Sequence, residues 1–289
     1  MKSLLLGALL LGMGTLWAVQ APRRFLYSDF MNRKLVYVDE SNPAAYWEAF
    51  VPEICFDITR TGNRMYAAQR NGWREYDLAK RRLTREVKDA ERMKNVTSAC
   101  EGADGHVYAF EQKGEVHEFS QTGEWLYTYT FPAVVRHGRA LRFTDRGTAL
   151  LGIDDGVAEV RLARDVAPEA RLVRTFVIPG ARSAYQGHYL ADGNLLVTGG
   201  YTPELITFSP DGKILSRVQA KQPEGLQNFF YGGFEVLKNG DVLLANWTGH
   251  NGRDFVPGWK LIAFDAAGKV VWKWNAPWAG TPNAVLVFE

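Results

Sequence analysis

Five turn glycines spaced 42 to 47 residues apart, a recurring set of β-type runs between them, and a spare run at the C-terminus predict a fold. It is an all-β six-bladed β-propeller of four-stranded antiparallel blades. The glycines are Gly62, Gly105, Gly147, Gly193 and Gly240. Each is followed by one β-rich run and then by a second of matched type: WREYDL, EVHEFS, VAEVRL, ELITFS and KLIAFD. A third run follows, as in EWLYTYTF, KILSRV and KVVWKW, often after a turn such as SPDGK or DAAGK. Asp-Gly and Asn-Gly turns between alternating apolar runs mark hairpins.

The first unit is incomplete. FLYSDF, KLVYVD and AYWEAF supply three strands and no inner one, whereas NAVLVFE is left over after the sixth unit. The C-terminal strand is therefore expected to complete the first blade and close the ring, which removes an open sheet edge. In the second unit, residues 80–94 carry Leu83, Val87 and Ala90 at helical spacing. The repeat register instead makes the first half of this passage the outer strand of blade two.

Residues 1–21 read as an export signal. Lys2 is a basic start, Leu4 to Trp17 an apolar stretch, and Ala18 and Ala21 are small residues suited to cleavage. Fourteen apolar residues fall short of the ~20 that span a bilayer. The mature domain is then 22–289, placed in the periplasm or outside the cell.

Lys plus Arg (34) nearly balances Asp plus Glu (32), so no basic field points to nucleic acid or an anionic membrane. Two cysteines exclude a thiolate zinc cluster. Cys55 and Cys100 fall near the channel ends of neighbouring blades, and export would permit a disulfide between them; bond and free thiols both stay open.

The second-half units, GHYLADGNLLVTGG…LITFSPDGKILSRV and GGFEVLKNGDVLLANW…KLIAFDAAGKVVWKW, resemble bacterial repeats of the NHL and pyrroloquinoline-quinone-like propeller groups. Six-bladed relatives of those groups include gluconolactonase-like hydrolases and arylsulfotransferases. The resemblance implies the propeller fold and leaves the activity open; the arylsulfotransferases use a channel-facing His, which His188 would match.

Two features carry candidate chemistry. Five residues before each turn glycine stand Asp57, Cys100, Arg142, His188 and Glu235, a polar set expected at one height around the channel. A His beside carboxylates and an Arg can perform acid–base chemistry: His188 as base or acid, Glu235 or Asp57 as partner, Arg142 as anion clamp. Such residues can equally solvate one another in a wet channel. The second feature is a long loop after the second strand of blade six, holding Asn246, Trp247, His250, Arg253, Asp254 and Trp259, with Phe229, Phe230 and Tyr231 on the preceding link. Long loops are disproportionately functional. Its aromatic rings are expected to stack on a sugar-like ligand while its polar groups bond hydroxyls or a carboxylate. Packing of the loop on the rim is the plainer alternative.

His106, His117 and His137 lack ligand spacing and are expected in surface or core roles, and no metal ligand is assigned. No cofactor is specified. Three functions therefore compete: a small-molecule or glycan binder, a hydrolase or lyase on a sugar derivative or ester, and a protein-interaction scaffold.

Overall fold

The computed structural model describes residues 23–219, 229–250 and 258–289. Residues 1–21, expected to be an export signal, and the loop residues Arg253 and Asp254 lie outside the described residues. Six four-stranded antiparallel sheets form the blades.

Blade 1 has β24 (Pro282–Val287) innermost, then β1 (Arg24–Asp29), β2 (Lys34–Asp39) and β3 (Trp47–Phe50). Blade 2 is β4 (Cys55–Thr61), β5 (Arg64–Gln69), β6 (Gly72–Asp77) and β7 (Arg82–Lys88). Blade 3 is β8 (Val96–Glu101), β9 (Val107–Glu111), β10 (Glu115–Phe119) and β11 (Trp125–Thr130). Blade 4 is β12 (Leu141–Phe143), β13 (Ala149–Ile153), β14 (Gly156–Val160) and β15 (Leu172–Val177). Blade 5 is β16 (Gly187–Tyr189), β17 (Leu195–Thr198), β18 (Leu205–Phe208) and β19 (Ile214–Val218). Blade 6 is β20 (Tyr231–Val236), β21 (Val242–Asn246), β22 (Leu261–Phe264) and β23 (Val270–Trp274). The passage at 80–94 is a strand where the register puts it. Among the described residues no helix is long and apolar enough to cross a membrane.

All five aligned turn glycines adopt positive φ, between 58° and 86°. They close the hairpin between the first and second strands of blades 2 to 6, where a Cβ would be strained. The ring closes as the leftover strand requires. β24 runs antiparallel to β1, with Phe25 opposite Val287 and Tyr27 opposite Val285. Asp29 fixes the approach by accepting from the Gly280 N–H at 2.9 Å and the Thr281 N–H at 3.2 Å.

Six apolar clusters fill the six blade interfaces. Alternation along a strand decides which neighbour a side chain meets: Phe25 and Tyr27 pack toward blade 6, Leu26 toward blade 2. Both faces of the middle strands are thus covered, and β9 and β13 are buried throughout. The outermost strands β7 and β15 are largely exposed. This geometry also settles the cysteines. Cys55 packs into the interface of blades 1 and 2, whereas Cys100 packs into that of blades 3 and 4. They face away from each other and are free, so the disulfide is not formed. Burial pushes both thiols well above their ordinary value.

Candidate functional site

A polar network, here called the plug, joins the inner strands across the ring. The Arg142 guanidinium of blade 4 donates to both carboxylate oxygens of Asp57 in blade 2, at 2.6 and 2.8 Å. The Ser98 hydroxyl donates to the same carboxylate at 2.5 Å, and Gln186 accepts from Arg142 at 2.9 Å. Gln186 then ties to blade 6 by donating to the Phe234 carbonyl at 2.8 Å. Asp57 is fully buried. Burial disfavours the Arg142 charge, but the Asp57 carboxylate more than offsets this and raises the guanidinium above its ordinary value. Just beside the plug, the Tyr185 hydroxyl of blade 5 donates to the Phe56 carbonyl of blade 2, directly across the ring.

The expected five-membered ring is therefore only partly assembled. Asp57 and Arg142 meet, but their other partners are Ser98 and Gln186, each two residues before the position read from the turn. Register shifts in the inner strands β4, β8 and β20 break the even spacing that the alignment presumes. Cys100 is core. His188 and Glu235 make no hydrogen bond to the plug, and Asp57 is committed to Arg142 rather than to His188.

Two recesses lie on opposite faces of the ring. One opens on the face of the first hairpin turns, a cavity of about 450 Å³ lined by Arg142, Asp145, Arg146, His188 and Tyr189 among others. His188 is exposed in this recess; desolvation by the recess walls, and next the Arg142 charge, push its imidazole below its ordinary value. Burial pushes Glu235 the other way, above the usual carboxylate range.

The second recess is the channel mouth on the opposite face, a cavity of about 230 Å³. Every blade or its leading link contributes: Phe30 and Asn283 from blade 1, Phe56 from blade 2, Gln112 from blade 3, and His137 and Arg139 from the link into blade 4. Tyr201 comes from blade 5, with Phe230, Trp247 and His250 from blade 6. Trp247 is 6% exposed and meets Phe30, Phe230 and His250 edge-on, at ring separations of 5.8, 5.6 and 4.5 Å. The side chain of Gln112 contacts His137 Nε2 at 2.8 Å. Burial, followed by the neighbouring Arg139, lowers the His137 pKa.

Of the loop residues expected at the ligand, Trp247 and His250 line this mouth. Others do not. Tyr231 is fully buried in the interface of blades 5 and 6, against Phe264. Asn246 is also fully buried and staples the loop base, donating to the Trp259 carbonyl at 2.8 Å and accepting from the Phe229 N–H at 3.2 Å. Trp259 packs on the blade 5–6 core, with the Lys273 ammonium 4.4 Å from its ring centre. The expectation that ring and loop converge on one face is corrected too, because His188 and Trp247 belong to recesses at opposite ends. The sequence reading missed Phe30, Gln112, His137, Arg139 and Tyr201. A signal for one of them exists: Gln112 stands seven residues past its turn glycine, just beyond the second strand, as the predicted Trp247 does.

Two groups of residues on blade 3, outside both recesses, have donor atoms spaced to hold a cation: Asp104, His106 and Glu118, and Glu111, Glu115 and His117. Sequence spacing did not reveal them because their members sit on paired strands and turns. Each has internal partners. Glu118 accepts from Arg164 at 2.7 Å and Tyr129 at 2.9 Å, and Glu111 accepts from the Lys94 N–H at 2.6 Å.

The whole fold has counterparts among solved structures. A Bacteroides caccae protein of unknown function superposes with a TM-score of 0.75 at 20% identity, covering 92% of this chain and 99% of that one. A streptogramin B lyase gives 0.62 at 11% identity, over 89% of this chain and 83% of its own. A catalytically inactive virginiamycin B lyase from Staphylococcus aureus, with quinupristin, gives 0.60 at 10% identity, over 89% and 86%. At these identities the likeness is one of fold. No protein-family model matches the sequence, and no curated protein is significantly similar to it.

The two depressed imidazoles give a pH prediction. His137 and His188 take up a proton less readily in the folded ring than in the unfolded chain, so protonation favours unfolding as pH falls through the ordinary imidazole value. A His137→Gln, His188→Gln double variant should lose less of its Tm than the parent between about pH 7.5 and 5.5. Parallel melting curves would contradict this.

Proposed function

We propose that this chain is an exported propeller that binds a small polar, carbohydrate-like ligand in the channel mouth. The observation that carries the reading is the mouth itself: one recess on the ring axis to which all six blades or their links contribute, with aromatic walls and a few convergent polar groups. Its ~230 Å³ lies below the ~300–1,000 Å³ of drug-sized pockets, which favours a ligand of about one ring. Lys2 with the apolar run from Leu4 supports a periplasmic or secreted location.

Thermal melting of the mature protein against sugars and sugar acids tests the reading. A ligand at one hundred times its dissociation constant adds about 2.7 kcal/mol, and Trp247→Ala should abolish the shift. A cooperatively melting protein that responds to nothing would favour the interaction scaffold instead.

A second reading, a lyase or hydrolase at the same mouth, is favoured by His137, whose neutral form is stabilised beside Gln112 as a general base requires. In that case His137→Gln keeps binding and loses turnover.

A further inference from the structure

We propose that the mouth selects ligands bearing a carboxylate on a single ring, with Arg139 as its counter-charge and the Trp247 indole N–H as a second donor. This rests on the mouth being the binding site.

The other arginines at partly buried positions show what is unusual here. Arg142 has Asp57, Arg74 has Glu86, and Arg174 has Glu159, each within 2.8 Å, while Arg171, which has no carboxylate, donates its Nε to the Val166 carbonyl and its guanidinium to the Tyr127 hydroxyl. For Arg139, no carboxylate among the described residues lies within ion-pairing distance. Its Nε is buried and makes no hydrogen bond. The guanidinium lies over the Phe230 ring, 5.7 Å from its centre, a contact that stabilises a cation without neutralising it. The groups whose charge acts on it are the hydroxyls of Tyr185 and Tyr201 and the carboxylate of Asp154. Tyr185 is committed to the Phe56 carbonyl, and Asp154 to the Arg136 N–H. Burial lowers the Arg139 pKa, as expected for a cation without its anion.

A second orphan shares the recess. The Trp247 indole nitrogen is buried and has no acceptor, although the residue is 6% exposed. Two buried donors without acceptors cost stability unless something else accepts from them. The neutral form favoured at His137 keeps Arg139 as the principal positive charge. The walls between them are Phe30, Phe56 and Phe230, suited to the face or edge of a ring. An anion with at least two acceptor positions on a compact ring satisfies both donors and fits the volume.

The test uses two matched pairs on the mature protein by titration calorimetry: benzoate against benzamide, and glucuronate against glucose. The expected result is that at least one carboxylate binds about tenfold or more tightly than its neutral partner, with Arg139→Gln abolishing that preference while neutral binding persists. The pair showing the preference identifies the ring as aromatic or sugar. Ligand-free Arg139→Met should melt at or above the parent temperature, since an unpaired buried charge is removed. Equal binding within both pairs, or a preference that survives Arg139→Gln, overturns the anion assignment and leaves the mouth intact. A lower melting temperature for ligand-free Arg139→Met also overturns it, by showing an internal partner. Failure of every probe overturns the mouth as the site and this inference with it.

Discussion

Deleting residues 282–289 is expected to abolish cooperative folding. All six residues of β24 are buried, and they serve two interfaces at once. Val285 and Val287 pack between blades 6 and 1, while Ala284 and Leu286 pack between blades 1 and 2. Burying a valine or leucine side chain is worth about 1.5–3 kcal/mol, so three of them supply roughly 5–9 kcal/mol. That is most of the ~5–15 kcal/mol by which domains are stable. The deletion also strips the ladder from β1 and leaves an unpaired edge facing the channel. Circular dichroism should show loss of the melting transition, and a synthetic peptide of residues 280–289 should restore it in trans. A truncated chain melting within a few degrees of the parent would show that the ring does not depend on its closure. Asp29→Ala tests the same seam more gently, because it removes only the carboxylate that orients the Gly280 and Thr281 amides.

The closure was legible because it follows from counting: three strands at one end, one at the other, and a ring that needs four per blade. The turns were legible because the glycines at 62, 105, 147, 193 and 240 answer to a local backbone demand, a positive φ that few other residues meet. The candidate site was harder for a physical reason. Alternation normally separates a buried face from an exposed one, but in a propeller both faces of an inner strand meet a neighbouring blade. Polarity therefore marks no direction by itself, and Cys100, five residues before its turn, is core while Ser98 reaches the plug. Trp247 was found through the length of its loop. Arg139 and His137 stand on a link between blades that has no repeat to align, and only the ring geometry brings them beside Trp247.

Replacing Asp57 with alanine is expected to cost about 3–5 kcal/mol, the loss typical when one partner of a buried ion pair is removed. The carboxylate is fully buried, and its removal strands the Arg142 guanidinium and the Ser98 hydroxyl together. Arg142 retains the Leu141 carbonyl at 2.9 Å and Gln186, neither of which carries charge. Urea unfolding of the parent and the variant would measure the difference; a loss under about 1 kcal/mol would mean that water reaches the pair and screens it. The double variant Asp57→Leu, Arg142→Met separates stability from architecture. Apolar replacement of both partners removes the stranded charge, so most of the lost stability should return. What should not return is the polar network across the ring. Asp57 joins blade 2 to Arg142 in blade 4, Ser98 joins blade 3, and Gln186 carries the network through blade 5 to the Phe234 carbonyl of blade 6. If the pair serves chiefly to hold the two recesses apart, a ligand bound at the mouth of the stable double variant should begin to respond to His188→Ala on the far side. If it serves only stability, that substitution should stay silent at the mouth.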